Sequence, residues 1–169
     1  MIFSAFIALF FCLVPGTGGV WAGTLQTDTV TVSVKGSGTG TDARFEPAVV
    51  QVQPGDLIKF TVREGLHTVT AYHPNNRRPL RIPENAEPFD SGLLKQGDSW
   101  YLEIKSEGVY DYFCLPHERM GHAGRIVSGS AESIPDYETG PIPEAALHKI
   151  NSETKIFLTN KYQLIPNRK

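Results

Sequence analysis

Short runs of alternating apolar and polar residues, separated by Gly and Pro turns, fill the chain from about residue 29 to residue 127. Thr29-Val30-Thr31-Val32-Ser33-Val34 sets three valines on one face ahead of a Gly/Ser/Thr loop at 36–41. Phe45 to Val52 forms the next run, Pro54-Gly55-Asp56 turns the chain, and Leu57-Ile58-Lys59-Phe60-Thr61-Val62 returns. Leu66 to Tyr72 follows, then a loop with four prolines between 74 and 88, then Ser99 to Ile104, Val109 to Cys114 and Gly124 to Val127. A period of two marks half-buried strands. About seven to eight such strands predict an all-β protein, a Greek-key β-sandwich, with Phe60 and Trp100 in its core. Residues 131–169 read differently, as a C-terminal extension punctuated by prolines. There a short helix around 143–150 and a strand around 155–158 are expected, in a partly ordered tail lying on the sandwich.

The N-terminus stands apart. Residues 2–14 are an apolar run too short to span a bilayer, broken by Pro15-Gly16 and followed by the small-residue site Val20-Trp21-Ala22. Residues 1–22 read as an export signal, so the protein is expected to be periplasmic or secreted. No Lys or Arg precedes the run, so retention as an anchor stays open. Cleavage leaves about 147 residues, enough for one domain over 23–130 plus the extension. No second run predicts a membrane span. The net charge of −2 gives no basic stripe for nucleic acid.

Cleavage would also remove Cys12, leaving Cys114 without a disulfide partner in a compartment that permits disulfides. The segment Tyr112-Phe113-Cys114-Leu115-Pro116-His117-Glu118-Arg119-Met120-Gly121-His122 holds a thiol, two imidazoles and a thioether. This soft nitrogen-and-sulfur set suits one copper ion better than a hard cation, although zinc can use similar ligands. Tyr110, Tyr112 and Cys114 share one strand face, which puts the thiol at a strand end. His117 can fold back from the turn, and His67, after a glycine turn, is the candidate for a further nitrogen ligand. His73, beside the Pro-rich loop, and His148 in the extension read as surface residues. Arg77, Arg78 and Arg81 read as a basic loop, solvated or facing an acidic redox partner.

On Phe45-x-Pro47, Val52-x-Pro54-Gly55-Asp56, His67-Thr68-Val69, Gly108 to His117 and Gly124 to Val127, the chain resembles a blue-copper cupredoxin of the plastocyanin, pseudoazurin and amicyanin kind. The resemblance covers roughly residues 28–128. It implies a copper cofactor cycling between Cu(I) and Cu(II), held by His67, Cys114 and His117, with a weak axial Met. Here the sequence departs from the pattern. The short-loop spacing from His117 reaches Met120, whereas counting back from the last strand, or five residues on from His117, reaches His122. An axial imidazole would pull copper from the trigonal plane, stabilise Cu(II) and lower the potential; a surface His there would titrate near neutral pH. Thr68 replaces an Asn that ties the two ligand loops together in many relatives.

Two functional classes follow. The first is a monomeric one-electron carrier, not an enzyme, serving redox partners such as a cytochrome or an oxidoreductase. By the resemblance its electrons leave at His117 through an apolar patch with Leu115 and Pro116. The second is a copper site with an exchangeable ligand, used for small-molecule redox chemistry or copper delivery. A binuclear centre with bridging thiolates needs a second thiol, and a multicopper oxidase needs His-x-His pairs, which the chain lacks.

Overall fold

The computed structural model describes residues 27–37, 42–130, 135, 137 and 140–163. The expected signal at 1–22 lies outside them. Ten short strands and one helix follow in order: β1 (Thr29–Lys35), β2 (Arg44–Glu46), β3 (Val49–Val52), β4 (Leu57–Val62), β5 (Leu66–His67), β6 (Thr70–Ala71), β7 (Leu94–Lys95), β8 (Ser99–Glu103), β9 (Gly108–Phe113), β10 (Ala123–Ser128) and α1 (Glu144–Gln163). They build one sheet in the order β2-β1-β4-β8, a second in the order β3-β10-β9-β6, and a two-stranded β5-β7 ladder. The description of an all-β sandwich holds.

Among the described residues there are ten strands instead of seven or eight because two expected runs are divided and a two-residue strand, β7, lies past the 74–88 loop, where the sequence pattern assigns no element. Between 45 and 52 the break falls at Pro47, which has no N–H for a ladder. The chain leaves its antiparallel pairing with β1 there and joins β10 in parallel. Between 66 and 72 it changes partner at Thr68-Val69, from β7 to β9. That second break leaves the Thr68 N–H free to point at Cys114.

The pleat decides the core. Val32 and Val34 of β1 and Ile58, Phe60 and Val62 of β4 are buried, while the residues between them are not. Together with Phe45 of β2 they meet Val50, Val52, Tyr110, Tyr112 and Ile126 from the other sheet. Trp100 packs on Phe60 with ring centroids 5.9 Å apart. Tyr112 lies across from Gly124, where a Cβ would come within 2.6 Å of its ring. Gly124 is what lets that ring lie flat against β10.

The second sheet is buried on both faces: every residue of β10 is buried, and β9 is buried from Val109 to Phe113. The expected strand at 155–158 is instead part of the single helix α1. Ala146, Ile150 and Thr154 recur every four residues and are buried, which is a helical period. The apolar run around Ile156 and Phe157 concealed it. α1, with Ala146 and Ile150, and Ile142 just ahead of it cover Tyr72, Phe113 and Ala123, and Phe157 packs on Val49 and Val127.

A charge cluster sits in this third layer. Asp111, fully buried on β9, accepts from Arg81 Nε at 2.8 Å and from Arg125 Nε and Nη2 at 2.6 and 2.9 Å. Arg125 Nη1 reaches Thr154 of α1 at 3.3 Å, and Arg81 Nη1 reaches the Tyr137 carbonyl at 3.3 Å. Arg81 is therefore buried and ion-paired, which corrects its reading as part of an open basic loop. A buried carboxylate is tolerable only when its oxygens are matched in this way.

If α1 is part of the folding unit, Ile150→Ala should lower the unfolding free energy by about 2–5 kcal/mol, as for other truncations of fully buried side chains. Urea denaturation followed by tryptophan fluorescence measures it, and an unchanged midpoint would make the helix an independent appendage.

Candidate metal centre

The site is assembled where β5 breaks and β9 ends. Cys114 follows the last residue of β9, and a short 3-10 turn, Leu115–Met120, carries His117 back over it. Gly121 leaves the turn in the left-handed region, at φ 85°, where a glycine costs least. The turn closes on itself: Cys114 N donates to the His122 carbonyl at 2.9 Å, His117 N to the Cys114 carbonyl at 3.0 Å, and Gly121 N to the Glu118 carbonyl at 3.0 Å.

His67, Cys114, His117 and His122 converge, all buried, each offering an atom within 4.8 Å of the others. His67 Nδ1 and His117 Nδ1 are 3.1 Å apart, and they lie 3.5 and 3.3 Å from Cys114 Sγ. These are short edges of a triangle with an unshared electron pair available at each corner. His67 Nε2 faces the carbonyls of Gly36 at 3.0 Å and Glu64 at 2.8 Å. Two acceptors there place the ring proton on Nε2, so Nδ1 presents its lone pair to the cluster. Gly65 makes room for this arrangement: a Cβ on it would come within 2.4 Å of the Gly36 oxygen and 2.9 Å of His67 Nε2.

Thr68, standing where many relatives have Asn, ties the two loops together. Thr68 N donates to Cys114 Sγ at 3.4 Å, and Thr68 Oγ1 accepts from Leu115 N at 2.8 Å. Thr70 Oγ1 lies 2.9 Å from Thr68 Oγ1 and 3.1 Å from Asp90 Oδ1, which extends the link to the next loop.

His122 is fully buried, with its ring centroid 4.1 Å from that of Phe45 and 5.0 Å from that of His67. Neither ring nitrogen has a hydrogen-bond partner. A buried imidazole with both nitrogens unpaired is costly unless something else engages it, and a metal held by the neighbouring donors fits that need. Burial is the main reason its pKa falls to about 2, with the charges of His67, His117 and Lys149 adding to it. The expected surface histidine titrating near neutral pH is therefore not what the fold provides. Burial likewise holds His117 below its ordinary value and pushes the Cys114 thiol up to about 11, against lowering contacts from Thr68 and His117.

Met120, half-buried, lines a groove of about 550 Å³ between the ligand turn and α1, with Asp42, Glu144 and the exposed His148. His73 Nδ1 accepts from Asn75 N at 3.1 Å and so caps a 3-10 turn. Arg78 binds Glu118 inside the ligand turn, which corrects its reading as a solvated or partner-facing cation. Arg77 is exposed. Sequence reasoning missed Glu118 and Asp111. A carboxylate between two of the clustered histidines, and one between two core tyrosines, were the available signals.

Residues 30–128 match the family described as copper binding proteins, plastocyanin/azurin family. A pseudoazurin from Paracoccus pantotrophus is 33% identical over 110 residues, 64% of this chain and 70% of that protein. A chloroplastic plastocyanin from Tetradesmus obliquus is 30% identical over 84 residues, 49% of this chain and 57% of that one. The crystal structure of pseudoazurin from Methylobacterium extorquens AM1 superposes with a TM-score of 0.56 at 25% identity, covering 76% of this chain and 99% of that one.

The depressed His122 value fixes the sign of one pH effect in the metal-free protein. The unfolded chain takes a proton on His122 below about pH 6.5, and the folded chain refuses it until about pH 2. Stability is thus complete above that window and falls as the pH drops through it, by about 1 kcal/mol per pH unit from this group. Urea midpoints of metal-free protein against a His122→Leu variant should show a flatter acid limb in the variant; parallel limbs would contradict the assignment.

Proposed function

Because the chain belongs to the plastocyanin/azurin family of copper-binding proteins, we propose that it is an exported one-electron carrier whose copper is held by His67, Cys114 and His117, with His122 in the axial position. The observation that carries the axial assignment is the buried His122 ring, unpaired at both nitrogens and within 4.8 Å of the other donors. Copper bound there supplies a single electron by cycling between Cu(I) and Cu(II). The rest of the work is the protein's own.

His67 is oriented by two backbone carbonyls, Cys114 by the Thr68 amide and His117 by its tight turn. Side chains fixed before the metal arrives need little movement when its charge changes. Burial of all four donors excludes water. His117 is the least buried of the four, at 6% exposure, and the others are at 0%. Leu115, two residues before it, is exposed, as are Leu66 beside His67 and Leu93 just before β7. An apolar rim of this kind suits brief contact with larger redox proteins, such as a cytochrome or an oxidoreductase, with this chain acting as a monomer. Among the described residues no helix is long and apolar enough to cross a membrane. With the export signal read at 1–22, this supports a periplasmic or secreted carrier. The alternative of an exchangeable ligand has less support, because His122 is packed against Phe45 and closed to solvent.

The optical and electron paramagnetic resonance spectra of the Cu(II) protein test the axial residue. The wild-type protein should show a strong higher-energy thiolate band and a large copper hyperfine splitting, and His122→Met should turn bluer with a smaller splitting and a higher potential. Spectra unaffected by the substitution would remove His122 from the site.

The docking rim is tested separately. Leu115→Asp should slow electron exchange with a soluble c-type cytochrome about tenfold while leaving the copper spectrum unchanged. An unaltered rate would move the contact surface elsewhere.

A further inference from the structure

Glu118 sits between His117 and His122, within the turn that carries both, and is 4% exposed. A carboxylate in that position is awkward next to a cluster of buried imidazoles and a thiol. It is held by Arg78, which reaches in from the loop between β6 and β7. Arg78 Nε lies 3.1 and 3.0 Å from the two carboxylate oxygens, and Nη2 lies 2.6 Å from Oε2. The guanidinium also covers the ring of Phe113 at 5.0 Å, and Phe113 stacks on Tyr72 with centroids 4.6 Å apart. Arg78 is therefore fixed both in its plane and along its length, which a Lys could not reproduce.

The backbone of Glu118 is part of the same joint. Its carbonyl accepts from Gly121 N at 3.0 Å, one residue before His122. On the far side of Gly121 stands α1: a Cβ there would come within 3.1 Å of the Ala145 carbonyl oxygen. The second half of the ligand turn is thus pinned from two directions, by the arginine through Glu118 and by the helix through Gly121. Thr68 pins only the first half, at Leu115.

We propose that Arg78 and Glu118 are positioning residues that set how closely His122 approaches the Cys114, His67 and His117 donor atoms, and hence the redox and spectral character of the site. This rests on His122 being the axial ligand. A neutral or apolar pair could fill the same volume without the cost of desolvating two charges. What the ion pair adds is a fixed bidentate geometry.

The double variant Arg78→Met with Glu118→Gln removes the clamp without changing the net charge, so Coulombic effects on copper largely cancel. It is compared in copper-loaded form with the wild-type protein, with His122→Met alone, and with the three substitutions together. The expected result is a looser axial imidazole: a smaller copper hyperfine splitting, a higher ratio of the blue band to the higher-energy band, and a raised reduction potential. In the His122→Met background the same pair of changes should move none of these. If the double variant loses stability to urea while its spectrum and potential match the wild type, the clamp is only structural and the proposal fails. If His122→Met itself leaves the spectrum unchanged, the axial reading fails, and the clamp's stated role fails with it. Should the double variant not fold, Arg78→Lys and Glu118→Gln provide milder steps. Arg78→Lys keeps the charge but loses the fork, and a wild-type spectrum from both would also overturn the proposal.

Discussion

One hydrogen bond organises the site: Cys114 N to the carbonyl of His122 at 2.9 Å. It continues the β9–β10 ladder across the mouth of the ligand turn, so the turn begins and ends at the same point in the sheet. Everything that reaches the metal from this side is therefore referred to the rigid pairing of two central strands. β9 and β10 are buried on both faces, and their shared register resists local opening more than an edge strand would. Among the described residues the donor from outside the turn is His67, at the end of β5, and the next residue, Thr68, fastens it to the turn.

The third layer exists because of this arrangement. A central strand pair with apolar and ionic residues on its outer face needs a cover, and α1 with the Pro-rich loop supplies one. The cover brings two sets of matched charges, Asp111 with Arg81 and Arg125, and Glu118 with Arg78. Each ties a strand or ligand turn to a segment distant in sequence. In apolar surroundings the penalty for breaking such a match is large, which favours one docking geometry over near alternatives.

The alternation of Val, Ile and Phe with polar residues was enough to read the sandwich, because the core lies between two sheets and each strand shows it one face. The donors were legible for a similar reason: a thiol and two imidazoles in nine residues have few other uses. What escaped notice depended on long-range pairing. Pro47 and Thr68 divide runs that look continuous locally, because partner choice is decided by strands far along the chain. Asp111 and Arg81 look like surface charges until the fold pairs them and β10 brings Arg125 to the same carboxylate. The helix over 144–163 was half hidden, since the short apolar run Ile156-Phe157-Leu158 reads as a buried strand, whereas Ala146, Ile150 and Thr154 show the true period only against a sheet.

The capped ring of His67 has a kinetic meaning. With its outer nitrogen committed to two carbonyls, with Cys114 and His122 closed to solvent, and with Phe113 roofed by Arg78 and α1, the cluster is, among the described residues, least closed at His117. If electrons enter and leave at His117 as proposed, the carrier has one doorway and does not hold its electron donor and its acceptor together. The two must compete for one patch and take turns, so turnover depends on how quickly each departs, and tight binding of either would obstruct the other.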